Sequence, residues 1–298
     1  MNGYDEIVTQ SRLDWQSKLV LLIVVPAVTI DAAVKTLWWL HEPGQVAIWV
    51  AGLSILLGLA TWQLRAATPA AAGTGTAITA SLMYSTARFP YQPRHTALVP
   101  ILVVSLLAWA CTRIGRARKE QLGVAERRNG RGAAQVAANL GAAALICSDF
   151  AESSMSSFHW FAGFRPEQAA LFVAGLAALA EAAADTVSSE VGQAFGGRPR
   201  LITTLRRAEP GSDGAISIAG SLTGIAAAAA VAAAGAYALR LPRISFEIAW
   251  AGGVGGLILD SVLGATFERL GWLNNDGVNF LSTIGAAACA LAAMAYLR

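Results

Sequence analysis

Runs of apolar residues recur along the whole chain and are separated by shorter polar connections. A hydrocarbon core about 30 Å thick is crossed by a helix of roughly 20 apolar residues, so runs of this length are typical of membrane spans. The pattern predicts an all-α, polytopic membrane helix bundle. About nine spans are predicted, near residues 18–40, 44–64, 69–89, 96–113, 132–150, 167–188, 215–239, 245–266 and 279–297.

The third segment is weaker than the others. It begins at Pro69 and continues through small residues and threonines to Thr76. We expect a short, tilted or re-entrant helix that neighbouring helices cover. Composition agrees with a membrane protein, because 55% of the 298 residues are hydrophobic and 14% are charged, whereas soluble domains average about 25% charged residues.

The distribution of basic residues predicts the orientation of the bundle. With the N-terminus inside, 15 of the 22 lysines and arginines fall on the cytoplasmic side and 7 on the other. The positive-inside rule then favours an N-in, C-out topology. No cleavable signal peptide is visible, and we expect the bacterial inner membrane as the location.

Two acidic motifs end long apolar runs. The first contains Asp185 and Glu190, with Glu181 and Asp185 on one helical stripe, and the second contains Asp260. A carboxylate costs about 2.5 kcal/mol or more at the centre of a spanning helix, so it faces a cavity or a partner. Either these acids are functional or they hydrogen-bond to a neighbouring helix. As functional groups, Asp185 and Asp260, helped by Glu190 or Asp213, are suited to bind Mg²⁺, which one or two carboxylates and substrate phosphates usually hold.

The connection at 198–214 is a candidate phosphate site. Glycine-rich turns and helix N-termini present backbone N–H groups to phosphate, and arginine matches phosphate oxygens. The alternative is a basic loop that contacts lipid headgroups. The candidate residues are Arg200, Thr203, Thr204, Gly211, Ser212, Asp213 and Gly214.

A second basic segment, 113–131, carries seven lysines and arginines and leads into Gln135 and Asn139. These two polar residues lie one helical turn apart inside a predicted span, where they need partners. They either orient a bound headgroup or bond one helix to another. Arg131, at the start of this helix, is the better candidate for binding phosphate.

Other classes of site are not indicated. Cys111, Cys147 and Cys289 lie inside apolar runs and are predicted to be packing residues. The sequence contains no Walker A motif, nucleophile elbow, kinase catalytic loop or zinc-ligand spacing. It also has no aromatic-interleaved basic surface, so we expect no nucleic-acid partner.

Six motifs occur together between Asn139 and Asn279. They are Asn139-Leu-Gly, Ala184-Asp185-Thr186-x-x-Ser189-Glu190-x-Gly192, Pro199-x-Leu-Ile-Thr203-Thr204, Pro210-Gly-Ser-Asp213-Gly214, Asp260-Ser261-x-Leu-Gly264-Ala-Thr266 and Asn275-Asp276-x-x-Asn279. Residues 66–298 thereby resemble an integral-membrane family, once catalogued as a domain of unknown function, that includes transmembrane protein 19 and phytyl-phosphate kinases. Residues 1–65 are predicted to be an added two-helix segment. The first acidic motif is more loosely similar to phytol and dolichol kinases and CDP-diacylglycerol synthases.

The resemblance implies a CTP-dependent kinase that converts a prenyl monophosphate, such as phytyl or geranylgeranyl phosphate, into a diphosphate. It implies Mg²⁺ as cofactor, membrane lipids as surroundings, and Asp185, Asp260 and Glu190 as catalytic residues. Nucleotide or phosphate contacts would include Arg131, Asn139, Asn275 and Asn279. The alternatives are a cytidylyltransferase that makes a CDP-linked lipid, a transporter, and a scaffold without a site.

Overall fold

The structure, a computed structural model, describes residues 3–42, 44–126, 128–157 and 167–297. Within these ranges the chain forms eleven α-helices joined by short connections. They are α1 (Gly3–His41), α2 (Gln45–Gln63), α3 (Pro69–Thr86), α4 (Leu98–Arg113), α5 (Arg116–Gln121), α6 (Ala133–Ile146), α7 (Asp149–Ser157), α8 (Gln168–Phe195), α9 (Ile218–Ala238), α10 (Arg243–Leu263) and α11 (Asn275–Tyr296).

Sheet is limited to one small hairpin in the described residues. Strands β1 (Arg200–Leu201) and β2 (Ala215–Ile216) pair antiparallel, with Arg200 opposite Ile216. A 3₁₀ turn lies at Pro93–His95, and α10 ends in a π-helical turn at Gly264–Glu268. The predicted all-α class is therefore confirmed.

Six helices of the described chain are long and apolar enough to cross a membrane: α1, α2, α8, α9, α10 and α11. The pair formed by α6 and α7, bent by 58°, would be a seventh span. This confirms a polytopic helical membrane protein. All nine predicted segments fall on helices, but α3 is rich in hydroxyl side chains, while α4 and α6 are shorter. The number nine and the N-in orientation stay predictions; Arg127, Arg165 and Arg298, which contribute to the charge count, lie outside the described residues.

Helix α3 corresponds to the weak third segment. It is one continuous helix of 18 residues, in which Thr68 caps the N-terminus by accepting a 3.2 Å hydrogen bond from the Ala71 N–H. Pro69 occupies the first turn, where its missing N–H costs nothing. The hydroxyl of Thr74 donates to the Ala70 carbonyl, so its polarity is satisfied inside the helix. As expected, neighbouring helices cover α3, here α1, α2 and α6.

Helix α8 is the centre of the bundle. Of its most apolar window, 94% is buried, and it packs against α4, α6, α9, α10 and α11. Small residues let membrane helices approach closely. At Gly256 of α10, for example, a Cβ would press on the side chain of Glu181 in α8. Close packing of this kind carries the acids of α8 into the interior.

One end of the bundle, here termed the polar end, collects the connections 64–68, 113–132, 196–217 and 264–275. Backbone hydrogen bonds join the first two, since the Thr68 N–H donates to the Arg131 carbonyl at 3.0 Å. The acidic motifs also reach this end, because α8 and α10 both finish there. The polar residues of distant segments therefore meet on one face of the bundle.

Helix α1 is fixed to the rest of the bundle at both ends. Toward its C-terminus, Lys35 forms an ion pair with Asp31 at 3.0 Å and donates to Ser85 of α3 at 2.7 Å. Toward its N-terminus, the Gln16 side chain accepts from the Asn274 N–H at 2.9 Å. These contacts attach α1 to α3 and to the connection before α11. The domain boundary at residue 65 stays a prediction.

Candidate functional site

A cavity of about 570 Å³ opens at the polar end between α6, α8, α10, α11 and the connection 196–217. We term it the carboxylate cavity. Its lining is mainly polar, and eleven of the predicted site residues contribute to it. They are Arg131, Asn139, Asp185, Glu190, Gly211, Ser212, Asp213, Gly214, Asp260, Asn275 and Asn279.

Two carboxylates from different helices meet in this cavity. The side chains of Asp185 in α8 and Asp260 in α10 are close enough to share a hydrogen bond. Ser282 of α11 lies beside them, with its hydroxyl 3.3 Å from Asp260 Oδ1 and 2.8 Å from Glu181 Oε1. Three helices thus hold an acidic pair that the sequence separates by 75 positions.

Glu181 lies one turn before Asp185 and just below the cavity. Its side chain is buried, and its Oε2 atom has no hydrogen-bond partner among the described residues. A buried carboxylate oxygen in this state is unfavourable unless a proton or a cation accompanies it. Glu181 does not line the cavity itself, and a proton or a cation would be favourable beside it.

The acids suit a cation that a substrate helps to bind. In the described part of the chain, no three His, Cys, Asp or Glu side chains are arranged to hold a metal ion by themselves. Mg²⁺ does not require such a set, because one or two carboxylates, waters and substrate phosphates usually complete its six oxygen ligands. The pair Asp185 and Asp260 fits this description, and Asp213 faces the same cavity from the opposite loop.

Glu190 also lines the cavity, but other groups occupy both of its oxygens. Lys119 donates to Oε2 at 2.5 Å, and the Thr112 hydroxyl donates to Oε1 at 3.1 Å. Lys119 is fully buried and also donates to the carbonyls of Cys111 and Thr112. In this structure Glu190 anchors the basic segment after α4 to the central helix.

The glycine-rich turn at Pro210–Gly214 forms another part of the cavity wall, next to the end of α10. Gly214 has φ +66°, and a Cβ there would overlap the backbone of Ala265 at the end of α10. Ser217 then caps α9 by accepting from the Gly220 N–H at 3.1 Å, and it lines the same wall. A glycine turn followed by a helix N-terminus presents N–H groups that favour anions.

Arg200, Thr203 and Thr204 do not line the cavity, although the sequence predicts them in the phosphate site. They are exposed on the β1–β2 hairpin, and Arg200 donates to the Leu205 carbonyl at 2.7 Å. The two threonines belong to a tight turn that the Leu205 N–H closes by donating to the Leu201 carbonyl at 2.8 Å, with Leu205 at φ +55°, and their side chains are exposed. Pro199, at the base of the hairpin, does line the cavity.

Arg131 and Asn139 lie on α6 or directly before it. Arg131 donates to the Thr186 hydroxyl at 3.2 Å and so reaches the acidic motif of α8. Asn139 is 5% exposed, and its Oδ1 has no partner within the described chain. Gln135, its predicted companion, instead donates to Glu126 at 3.1 Å. A phosphate at this position would face the guanidinium of Arg131, whereas the unpaired Asn139 Oδ1 is an acceptor and requires a donor such as a water molecule.

Several residues that line the cavity or contact its lining residues were not assigned a role from the sequence. Glu268 lines the cavity from the π-helical turn. The sequence points to it only through its spacing, two helical turns after Asp260. Ser217 follows the glycine-rich turn, where a helix cap is expected. Ser282 and Lys119 carry no signal, because their partners lie on helices that are distant in the sequence.

The structure thus defines an all-α polytopic membrane protein with a carboxylate-lined cavity at one end of its bundle. The chain belongs to the family described as integral membrane protein DUF92, which matches residues 52–287. This confirms the family resemblance of the motifs. No solved structure matches the chain.

Three relatives are similar to this chain. The uncharacterized membrane protein sll0875 of Synechocystis sp. is 33% identical over 229 residues, which are 68% of this chain and 81% of the relative. The uncharacterized membrane protein MJ0933 of Methanocaldococcus jannaschii is 38% identical over 49% of this chain and 57% of its own length. Protein VTE6, chloroplastic, of Arabidopsis thaliana is 30% identical over 59% of this chain and about half (52%) of its own length.

Proposed function

We propose that this protein is a CTP-dependent kinase that phosphorylates a prenyl monophosphate to the diphosphate at the polar end of the bundle. The observation that carries the proposal is the convergence of Asp185, Asp260, Arg131 and the glycine-rich turn on one cavity. The family resemblance, with phytyl-phosphate kinases among its members, supports the substrate class. The excess of basic residues at the polar end supports a cytoplasmic orientation, for which the bacterial inner membrane is the proposed location.

Asp185 and Asp260 hold Mg²⁺ in this mechanism. These two carboxylates would hold the ion, which would supply positive charge to offset the charge that develops on the transferred phosphate. The rest of the catalysis is positioning and charge stabilisation, so no nucleophilic side chain is required. Ser282 keeps Asp260 oriented through its hydroxyl. Glu190, fixed by Lys119, keeps the end of α8 in place.

The glycine-rich turn and Arg131 place the two substrates. The Ser212 N–H donates to the Glu209 carbonyl and the Gly220 N–H to Ser217, so the remaining N–H groups of the glycine-rich turn and of the start of α9 receive the phosphates of CTP. Arg131 receives the phosphate of the acceptor, and Asn139, which lines the same cavity, would donate to it through its side-chain N–H group. An oxygen of the acceptor phosphate attacks the terminal phosphorus of CTP, a new P–O bond forms, and the bond to the bridging oxygen breaks. CDP leaves with the electron pair of that bond.

The product identifies the reaction. Purified protein in detergent, given CTP, Mg²⁺ and geranylgeranyl or phytyl monophosphate, is expected to release CDP and the prenyl diphosphate. The measurement is chromatography of nucleotide and lipid products, with EDTA as the control that removes the cation. We expect EDTA to stop product formation.

Other products contradict the proposal. Release of pyrophosphate together with a CDP-linked lipid indicates cytidylyl transfer at the same carboxylates. Proton-coupled uptake into vesicles without nucleotide indicates a transporter. The kinase proposal is also wrong if thermal unfolding shows that the protein is folded and it still makes no nucleotide-dependent product.

Gly214→Ala is expected to raise the KM for CTP by at least about tenfold, because the new Cβ would overlap the Ala265 backbone and push the turn off the cavity wall. The matched control is Gly197→Ala. Gly197 also has positive φ, +65°, but a Cβ there meets no atom within 4 Å. The control therefore suffers backbone strain of about 1–2 kcal/mol without moving the turn. Equal KM values in the two variants would contradict phosphate binding by this turn.

A further inference from the structure

A second cavity, of about 370 Å³, lies between α2, α3, α4 and α6. We term it the apolar cavity. Its inner wall is built from aliphatic and small side chains, among them Leu57, Gly75, Ile101, Val104 and Ala108. Along α4 the lining extends from Ile101 to Trp109, which corresponds to about 12 Å of helix. The cavity is elongated along the bundle and suits a hydrocarbon chain.

The end of the apolar cavity that faces the polar end is rich in arginine. This end is lined by five arginines and by only two glutamates, Glu120 and Glu126. The arginines are Arg65, Arg113, Arg116, Arg128 and Arg131. Arg116 is paired with Glu120 at 3.0 Å, so a surplus of cationic groups remains at this end. Arginine forks bind phosphate oxygens well, and the charge of this end is complementary to an anionic head group.

The two cavities are adjacent. Arg131, Asn139 and Glu126 line both of them. At this junction Asn139 Oδ1 is buried without a partner in the described chain, and so is Nε1 of Trp109, which lines the apolar cavity. Buried polar groups in native structures are rarely left unpaired. A phosphate oxygen is able to accept from Trp109 Nε1, whereas Asn139 Oδ1 requires a donor such as a water molecule. A head group at the junction therefore lies within reach of Arg131 and next to the acidic pair.

We propose that the apolar cavity binds the hydrocarbon tail of the prenyl monophosphate acceptor, with its phosphate at the arginine-rich end beside Arg131. The proposal rests on the proposed function and adds the place and direction of the acceptor: the phosphate faces the carboxylate cavity and the tail points away from it along α4. It also gives α2 a role, since Leu57 and Thr61 form one wall of the tail site.

Gly75→Leu tests the tail site, with Gly73→Leu as the matched control on the same helix. A Cβ at Gly75 meets only Val136 at 3.9 Å, so a leucine there extends into the cavity. Gly73 is exposed, and a Cβ there meets nothing within 4 Å. In Gly75→Leu we expect the KM for geranylgeranyl phosphate to rise about tenfold. The KM for dimethylallyl phosphate and for CTP stays unchanged, and Gly73→Leu behaves as the wild type.

Two kinetic results overturn this assignment. One is a Gly75→Leu variant that matches Gly73→Leu with geranylgeranyl phosphate. The other is an equal loss with the long and the short acceptor, which indicates a general structural defect and not a blocked tail site.

A binding experiment separates the tail site from the kinase activity. Geranylgeranyl phosphate carrying a diazirine near its far end is photo-crosslinked to the wild-type protein without nucleotide. We expect labelled peptides from α3 and α4, suppressed in Gly75→Leu and by unlabelled geranylgeranyl phosphate. This result supports the tail site even where CTP turnover fails. Equal suppression by phosphatidylglycerol assigns the cavity to bilayer lipid, and labelling elsewhere removes the site; either result overturns the proposal.

Discussion

Replacement of either Asp185 or Asp260 by asparagine is expected to reduce phosphoryl transfer by about 1,000-fold or more. Each substitution keeps the size of the side chain but removes a negative charge from the acidic pair, so the Mg²⁺ that stabilises the transferred phosphate is lost or displaced. The measurement is kcat/KM for geranylgeranyl phosphate at saturating CTP. In a titration with Mg²⁺, both variants are expected to need a much higher Mg²⁺ concentration for half-maximal activity.

The control for these variants is Asp14→Asn. Asp14 is an exposed acid of α1 outside the carboxylate cavity, and its replacement is expected to leave kcat/KM unchanged. Thermal unfolding in detergent shows whether all three variants are folded. Wild-type activity in folded Asp185→Asn and Asp260→Asn would remove the proposed mechanism.

Lys119→Met is expected to have the largest effect on stability. Lys119 is buried and donates to Glu190 and to two backbone carbonyls, so its removal leaves a carboxylate buried without its cation. Breaking a buried pair on one side costs about 3–5 kcal/mol. The measurement is the free energy or temperature of unfolding in detergent, which should fall strongly.

Two further variants test whether loss of the ion pair between Lys119 and Glu190 is what lowers the stability. Lys18→Met removes an exposed lysine of α1, and its unfolding temperature should stay close to that of the wild type. The double variant Lys119→Met with Glu190→Gln removes both charges and is expected to recover much of the lost stability. If the double variant were no more stable than Lys119→Met, the ion pair would not explain the loss.

The helical membrane class was predictable because apolar runs of spanning length are a strong, local signal. The membrane character of α3 was harder to judge, since its threonines satisfy their hydroxyls within the helix and its neighbours supply the apolar cover. The π-helical turn at Gly264–Glu268 was not predicted, because no local residue pattern distinguishes it from an ordinary helix end. It adds Glu268 to the cavity.

The candidate site was predictable in part. Asp185 and Asp260 were identified because a carboxylate in an apolar run is unfavourable unless it faces a cavity or a partner group. The glycine-rich turn was identified from its residue types, and the structure places it in the same cavity. Arg200, Thr203 and Thr204 have the same kind of chemistry, but they are exposed in β1 or the turn after it and do not line the cavity. The position of a loop depends on backbone dihedrals and packing that residue types alone do not specify.

By itself, the sequence determined that this chain is a helical membrane protein of one integral-membrane family with acids at the ends of two spans. The membrane class follows from hydrophobic length, the family from short motifs, and the importance of the acids from the free energy of placing a charge in hydrocarbon, all of which are local properties. Only the tertiary structure decided that these acids meet, that Glu190 is tied to Lys119, and that an apolar cavity adjoins the acidic one. Those facts depend on contacts between residues far apart in the chain, which close packing of helices around α8 brings together.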